Sequence, residues 1–139
     1  MTCEQLQKIT WLNRAFHAER NAQAWLAKQT YDRNLAQRLS GSVSGSGFSS
    51  YGNGTEHALT RLADTERQTQ EKLAELVRIR EEITSAIEKI PDSDLQTILV
   101  WRYLKYLTFE KIAEKMHYSV RSIHYKHKAA LDKLCTVLH

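Results

Sequence analysis

The sequence predicts an all-α protein: a long helical hairpin or coiled coil followed by a small three-helix domain. Three observations carry that prediction. All five glycines fall between Ser40 and Gly54, and the only proline is Pro91, so two long stretches have no helix breaker. A 3–4 repeat of apolar residues runs through the second of those stretches. After Pro91 the pattern breaks into short segments, each opening on a residue suited to cap a helix.

Residues 1–39 read as an N-terminal helix, rich in Ala, Gln, Leu, Arg and Lys. Its apolar stripe is irregular, with Leu6, Ile9, Leu12 and Phe16, then Ala22, Trp25 and Leu26, then Leu35 and Leu39. Residues 40–54, "SGSVSGSGFSSYGNG", read as a Gly/Ser-rich flexible linker, too flexible for a helix or a packed strand. Thr55 then caps a long amphipathic helix over residues 55–90, with Glu56 in its first turn. Its seam is Leu59, Leu62, Glu66, Thr69, Leu73, Leu76, Arg80, Ile83, Ile87 and Ile90. Such a seam needs a partner. The first helix can supply it by folding back, or a second copy can supply it in a homodimer. The three tryptophans, Trp11, Trp25 and Trp101, read as core.

Residues 91–139 hold the three short helices. Asp92 or Ser93 caps the first, whose apolar residues are Leu95, Ile98, Leu99, Tyr103 and Leu104. Thr108 caps the second, with Phe109, Ile112, Ala113 and Met116 on one face. Ser119 caps the third, with Ile123, Ala130, Leu131 and Leu134 turned inward. Only "HY" separates the last two helices, which makes a helix-turn-helix pattern.

Charge is unevenly spread along this plan. Residues 1–91 carry 12 basic and 11 acidic side chains, residues 92–139 carry 8 and 5. Within "HYSVRSIHYKHK", residues 117–128, three histidines and three cations stand without a carboxylate. That local excess suits a surface facing phosphate. A metal is not expected there. His124 and His127 have helical i, i+3 spacing, but a structural zinc needs two more ligands, and Cys135 and His139 lack the usual paired spacing. No serine–base pair, carboxylate or glycine-rich phosphate loop is placed to work with these histidines, so neither an enzyme nor a cofactor is expected. His127 reads as a packing residue. The start of the sequence lacks a signal-peptide pattern, no run approaches a membrane span, and Cys3 and Cys135 read as free thiols, so a cytoplasmic protein is expected.

The run Arg102…Tyr103-Leu104…Leu107-Thr108-Phe109-Glu110-Lys111-Ile112-Ala113-Glu114, followed by Tyr118-Ser119, resembles the C-terminal region of bacterial sigma factors that reads the promoter −35 element. More narrowly, it is similar to small phage-encoded regulators of the RinA and ArpU type. The resemblance covers about residues 92–135, a third of the chain. It implies a transcription regulator of phage or prophage late genes that binds double-stranded DNA and touches bacterial RNA polymerase. It implies base readers at Val120, Arg121 and Tyr125, and phosphate contacts at Thr108, Ser122, His124, Lys126 and Lys128. The chain departs from the pattern at His117, where a glycine is usual, and at Val120, which is less polar than usual. Two other functions fit the same plan: an adaptor on RNA polymerase with weak DNA contact, and a phage DNA-packaging subunit.

Overall fold

The structure, a computed structural model, describes residues 1–43 and 49–135, apart from the side chains of 41–43 and 49–53. Six helices and no strand occur among the described residues: α1 (Cys3–Leu12), α2 (Arg14–Val43), α3 (Ser49–Glu88), α4 (Ser93–Tyr103), α5 (Phe109–Met116) and α6 (Val120–Lys133). They form two compact units. One comprises residues 1–18 with the chain from 77 onward, the other residues 19–76. The all-α class and the helical hairpin followed by a small helical domain are as expected.

The division falls elsewhere than at residue 91. The N-terminal helix is two elements, α1 and α2, joined at Asn13. Its N–H donates to the Ile9 carbonyl at 2.9 Å and its carbonyl accepts from His17 at 3.2 Å, so the helical ladder continues past the joint. Thr2 opens α1 with a capping box. Its hydroxyl accepts from the Gln5 N–H, and the Gln5 side chain accepts from the Thr2 N–H, both at 3.1 Å.

In the first unit α1 lies on α6. The Gln5 amide donates to Asp132 at 2.8 Å, and the Lys8 ammonium, almost wholly buried, donates to the Leu131 carbonyl at 2.8 Å. Lysine suits this place, since carbonyls in a helix's last turn lack helical donors and the dipole there favours a cation. The core gathers Trp11, Leu12 and Ala15 with Ile79, Ile83 and Ile87 of α3, Ile90 just beyond it, Leu95, Leu99 and Tyr103 of α4, and Leu131 and Leu134. A smaller cluster of Ile98, Ile112, Ala113 and Ile123 lies under the helix-turn-helix. Asp92, Thr108 and Ser119 cap α4, α5 and α6 as the sequence suggests. His117 takes the left-handed conformation at φ 61°, its N–H closing on the Ala113 carbonyl, so histidine fills the role of the usual glycine.

His127 anchors α6 in this core. It is buried, its Nε2 lies 2.7 Å from the Tyr103 hydroxyl, and Phe109 packs edge-on at 5.0 Å. Burial, with Arg102 and His124 nearby, pushes its pKa down to about 4, and burial pushes Tyr103 up to about 12.

In the second unit α2 and α3 pair within one chain through small and polar residues. Ala22, Ala36 and Ala58 are buried, with Asp32, Thr65 and Thr69 among them. Thr65 Oγ1 donates to Asp32 at 2.7 Å, Lys28 reaches both at 3.1 Å, and Thr69 donates to the Trp25 carbonyl at 3.3 Å. Small side chains let two helices approach closely, which puts Ala58, Thr65 and Thr69 at the centre of the seam. The expected seam is therefore corrected at its start. Leu59 is exposed and Glu66 half-buried, while Leu62, Leu73 and Leu76 are half-buried flanks. On α2, Leu26 is exposed. Leu6 and Phe16 are likewise exposed in the first unit, where the stripe was expected to bury them.

The segment read as a linker also differs. α2 continues to Val43 and α3 starts at Ser49, so Thr55 lies inside a helix rather than capping one. A helix already nucleated can extend through glycine at about 1 kcal/mol each. The remainder of that segment, residues 44–48, lies outside the described residues.

Two predictions follow from the buried polar groups. The hairpin is only two helices thick, so few atoms surround Asp32, yet its side chain is 3% exposed. The Thr65 hydrogen bond, assisted by Lys28, holds its carboxyl below the ordinary 3.8. The stabilisation is present above that value and is lost as pH falls through the lower folded one. Asp32→Ala should lower stability by about 1–3 kcal/mol at neutral pH and less at pH 3, read by denaturant unfolding. For His127 the folded value is again the lower, so its contribution is complete above the unfolded value of 6.5 and declines as pH falls toward 4. His127→Gln should flatten the thermal stability of the chain between those limits, measured as Tm against pH.

Candidate nucleic-acid interface

The helix-turn-helix is built by its caps and its core together. Ser119 has extended backbone and accepts the Ser122 N–H at 3.1 Å, which starts α6. Thr108 likewise accepts the Lys111 N–H at 3.2 Å and starts α5. Both hydroxyls sit where helix N–H groups and the positive end of the dipole coincide, the environment that favours an anion. Ile123 and Ala113 lock the crossing of the two helices.

With that face inward, the outward face of α6 is set. Arg121, Tyr125 and Lys128 follow at i, i+4 and i+7 and form one exposed stripe. Tyr125 is 77% exposed, the most exposed of the large apolar and aromatic side chains among the described residues. His124 borders the stripe, exposed, its ring 4.5 Å from Phe109. Phe109 in turn carries the Arg102 guanidinium at 4.5 Å, and Arg102 also donates to the Leu107 carbonyl at 3.0 Å. His124 is thereby held beside the start of α5.

The other site residues read from the sequence fall in different places. Val120 is half-buried and packs on the smaller core cluster. Ser122 is half-buried and gives its N–H to the cap. Lys126 lies half-buried over the Tyr118 ring at 4.9 Å, and the Tyr118 hydroxyl donates to Asp94 at 2.9 Å. This chain of contacts ties α6 to α4 through the turn. The structure thus brings Thr108, Arg121, His124, Tyr125 and Lys128 to the surface and turns Val120, Ser122 and Lys126 partly inward. Sequence reasoning missed Tyr118 and Asp94 as supports. Their only signal was an aromatic residue in a short turn and an acid in the first turn of the preceding helix.

His124 and His127 do not converge on a common ligand. His127 faces the core with Nε2 engaged by Tyr103, whereas His124 lies outside. Among the described residues no group of three His, Cys, Asp or Glu side chains is placed to hold a metal, and both cysteines are free and exposed. Among them, too, no helix is long and apolar enough to cross a membrane.

Charge divides with the units. Residues 19–76 carry seven basic and seven acidic side chains, so the whole formal charge of +4 belongs to the unit that holds the helix-turn-helix.

No curated protein and no solved structure matches this chain. One family model does, over residues 52–134, which includes α4, α5, α6 and nearly all of α3. It spans more than half of the sequence, and the chain belongs to that family, DUF1492, described as a protein family of unknown function.

Proposed function

We propose that the protein is a sequence-specific DNA-binding transcription regulator, with α6 as the helix that enters the major groove. The carrying observation is the exposed, acid-free stripe of Arg121, Tyr125 and Lys128 on a helix whose opposite face is locked into the core. Arginine can bond a guanine edge through two N–H groups, and lysine serves as a point charge against phosphate. Thr108 and the first N–H groups of α5 supply a second phosphate contact. The placement of the formal charge supports the same partner, since sequence-independent affinity for DNA scales with the phosphates neutralised.

Of the eight contact residues read from the sequence, the geometry favours Arg121 and Tyr125 for bases and Thr108, His124 and Lys128 for phosphate. Val120, Ser122 and Lys126 then serve the frame more than the contact. The resemblance to sigma factors and to RinA- and ArpU-type regulators adds late-gene control in a phage or prophage and bacterial RNA polymerase as a further partner. The proposal also takes the bacterial cytoplasm as the place of action and a homodimer that presents two reading helices to one operator. The reading assigns no catalytic residue and no cofactor.

The test is a salt titration of duplex binding by wild type and two surface variants, on sequences selected from the phage or host genome. Arg121→Ala should cost about 1–3 kcal/mol on the selected site and little elsewhere. Lys128→Ala should weaken all duplexes alike and reduce the salt slope by about one. Both should keep the wild-type circular dichroism, because both side chains lie outside the core. Wild-type binding by both variants would transfer the surface from DNA to a protein partner, the adaptor function on RNA polymerase.

A further inference from the structure

The turn between α4 and α5 holds a left-handed residue that is neither glycine nor asparagine. Tyr106 has φ 61°, a conformation that side chains with a Cβ rarely adopt. His117 shares that angle, but its role is local, closing the C-terminus of α5. Tyr106 differs, because a glycine would make the same turn without strain. What tyrosine adds is its side chain. The phenol oxygen accepts a hydrogen bond from Arg80 of α3 at 3.2 Å, and the ring meets Phe16 of α2 edge-on at 5.4 Å. Strain of this kind persists where the surroundings fix the residue from several sides.

The turn itself is closed at both ends. Leu104 and Lys105 both donate to the Val100 carbonyl, Leu107 donates to Trp101 at 2.9 Å, and the Leu107 carbonyl receives Arg102. Two residues beyond Tyr106 stands Thr108, the cap of α5. The direction in which Thr108 and the first N–H groups of α5 point is therefore set by a residue clamped to α2 and α3.

We propose that Tyr106 is a positioning residue for DNA binding: through Arg80 and Phe16 it orients the start of α5, so that Thr108 meets phosphate in register with Arg121 and Lys128 of α6. This rests on the DNA-binding function proposed above. It assigns to the long helices a part in the interface that their own side chains, remote in sequence from the helix-turn-helix, do not reveal. Arg80, counted in the sequence as a polar interruption of an apolar seam, acquires a role: it is half-buried and directed at the turn.

The experiment compares Tyr106→Gly, Tyr106→Phe and Arg80→Met with wild type in the full chain. It uses salt titrations of random-sequence duplex DNA and amide hydrogen exchange over residues 108–112. Tyr106→Gly removes the clamp and the strain together, so the fold should survive. Its affinity for duplex DNA should fall about tenfold at every salt concentration with the slope kept, as loss of an uncharged phosphate contact requires, and its exchange in the first turn of α5 should quicken several-fold. Thr108→Ala added to it should lower the affinity no further, whereas Thr108→Ala alone should lower it about tenfold. Tyr106→Phe assigns the clamp: behaviour like Tyr106→Gly places it on the Arg80 hydrogen bond, with Arg80→Met following. Wild-type behaviour of Tyr106→Phe places it on the Phe16 contact. Wild-type affinity and wild-type exchange in Tyr106→Gly would overturn the proposal and leave the DNA-binding function standing. If the wild-type chain binds no duplex, the DNA-binding function fails instead, and exchange alone decides the positioning: unchanged rates in Tyr106→Gly refute it.

Discussion

The seating of α1 on α6 is the contact on which the C-terminal unit depends. Three short helices have little core of their own. Their inner cluster consists of Ile98, Ile112, Ala113 and Ile123, which at about 1.5–3 kcal/mol for each large aliphatic side chain cannot offset the ordering of some forty residues. The larger cluster makes up the difference, and it is filled from α1, α2 and α3 as much as from α4 and α6. Lys8 and Gln5 fix where this happens. By reaching the Leu131 carbonyl and the Asp132 carboxylate they attach α1 to the last turn of α6, so the outer face of that helix is oriented by residues at the other end of the chain.

The two units solve helix packing by different means. The first buries large aliphatic side chains and tolerates a few polar atoms, each with a partner except His127 Nδ1. The second buries alanine, threonine and aspartate and relies on hydrogen bonds between α2 and α3. Buried polar contacts of this sort contribute modest net stability, yet a mismatched partner is costly, so they specify one alignment of the two helices over its neighbours. A seam made only of leucine would hold more strongly and discriminate less.

What was legible in the sequence was local. Thr108 and Ser119 announced two caps and the pair Asp92 and Ser93 a third, which falls on Asp92, because an N-cap needs a short polar side chain a few residues before an apolar run. The inward residues of α4, α5 and α6 followed from helical spacing, and His117 from the tolerance of histidine for the left-handed region. The outer face of α6 was legible in part: with Ile123 and Leu131 inward, Arg121, His124, Tyr125 and Lys128 are exposed as expected, whereas Val120, read as an outer contact, packs on the smaller cluster. Contacts between distant segments left no such trace. Nothing near Lys8 announces Leu131, and nothing near Asp32 announces Thr65. The start of the long seam was not legible, because close packing there prefers alanine and threonine to leucine. The seating of Lys126 over the Tyr118 ring left no trace either, since it depends on how the turn before α6 is folded.

The pairing of Gln5 with Asp132 spans 127 positions of the chain. On the ribosome, α1 leaves the exit tunnel long before α6 exists, and until then Gln5 and Lys8 lack their partners at the last turn of that helix. The unit that holds the helix-turn-helix therefore completes its packing only once α6 has been made, at the entropic cost of joining remote segments. In a growing chain the α2–α3 hairpin can assemble first, and the outer face of α6 takes its orientation only afterwards.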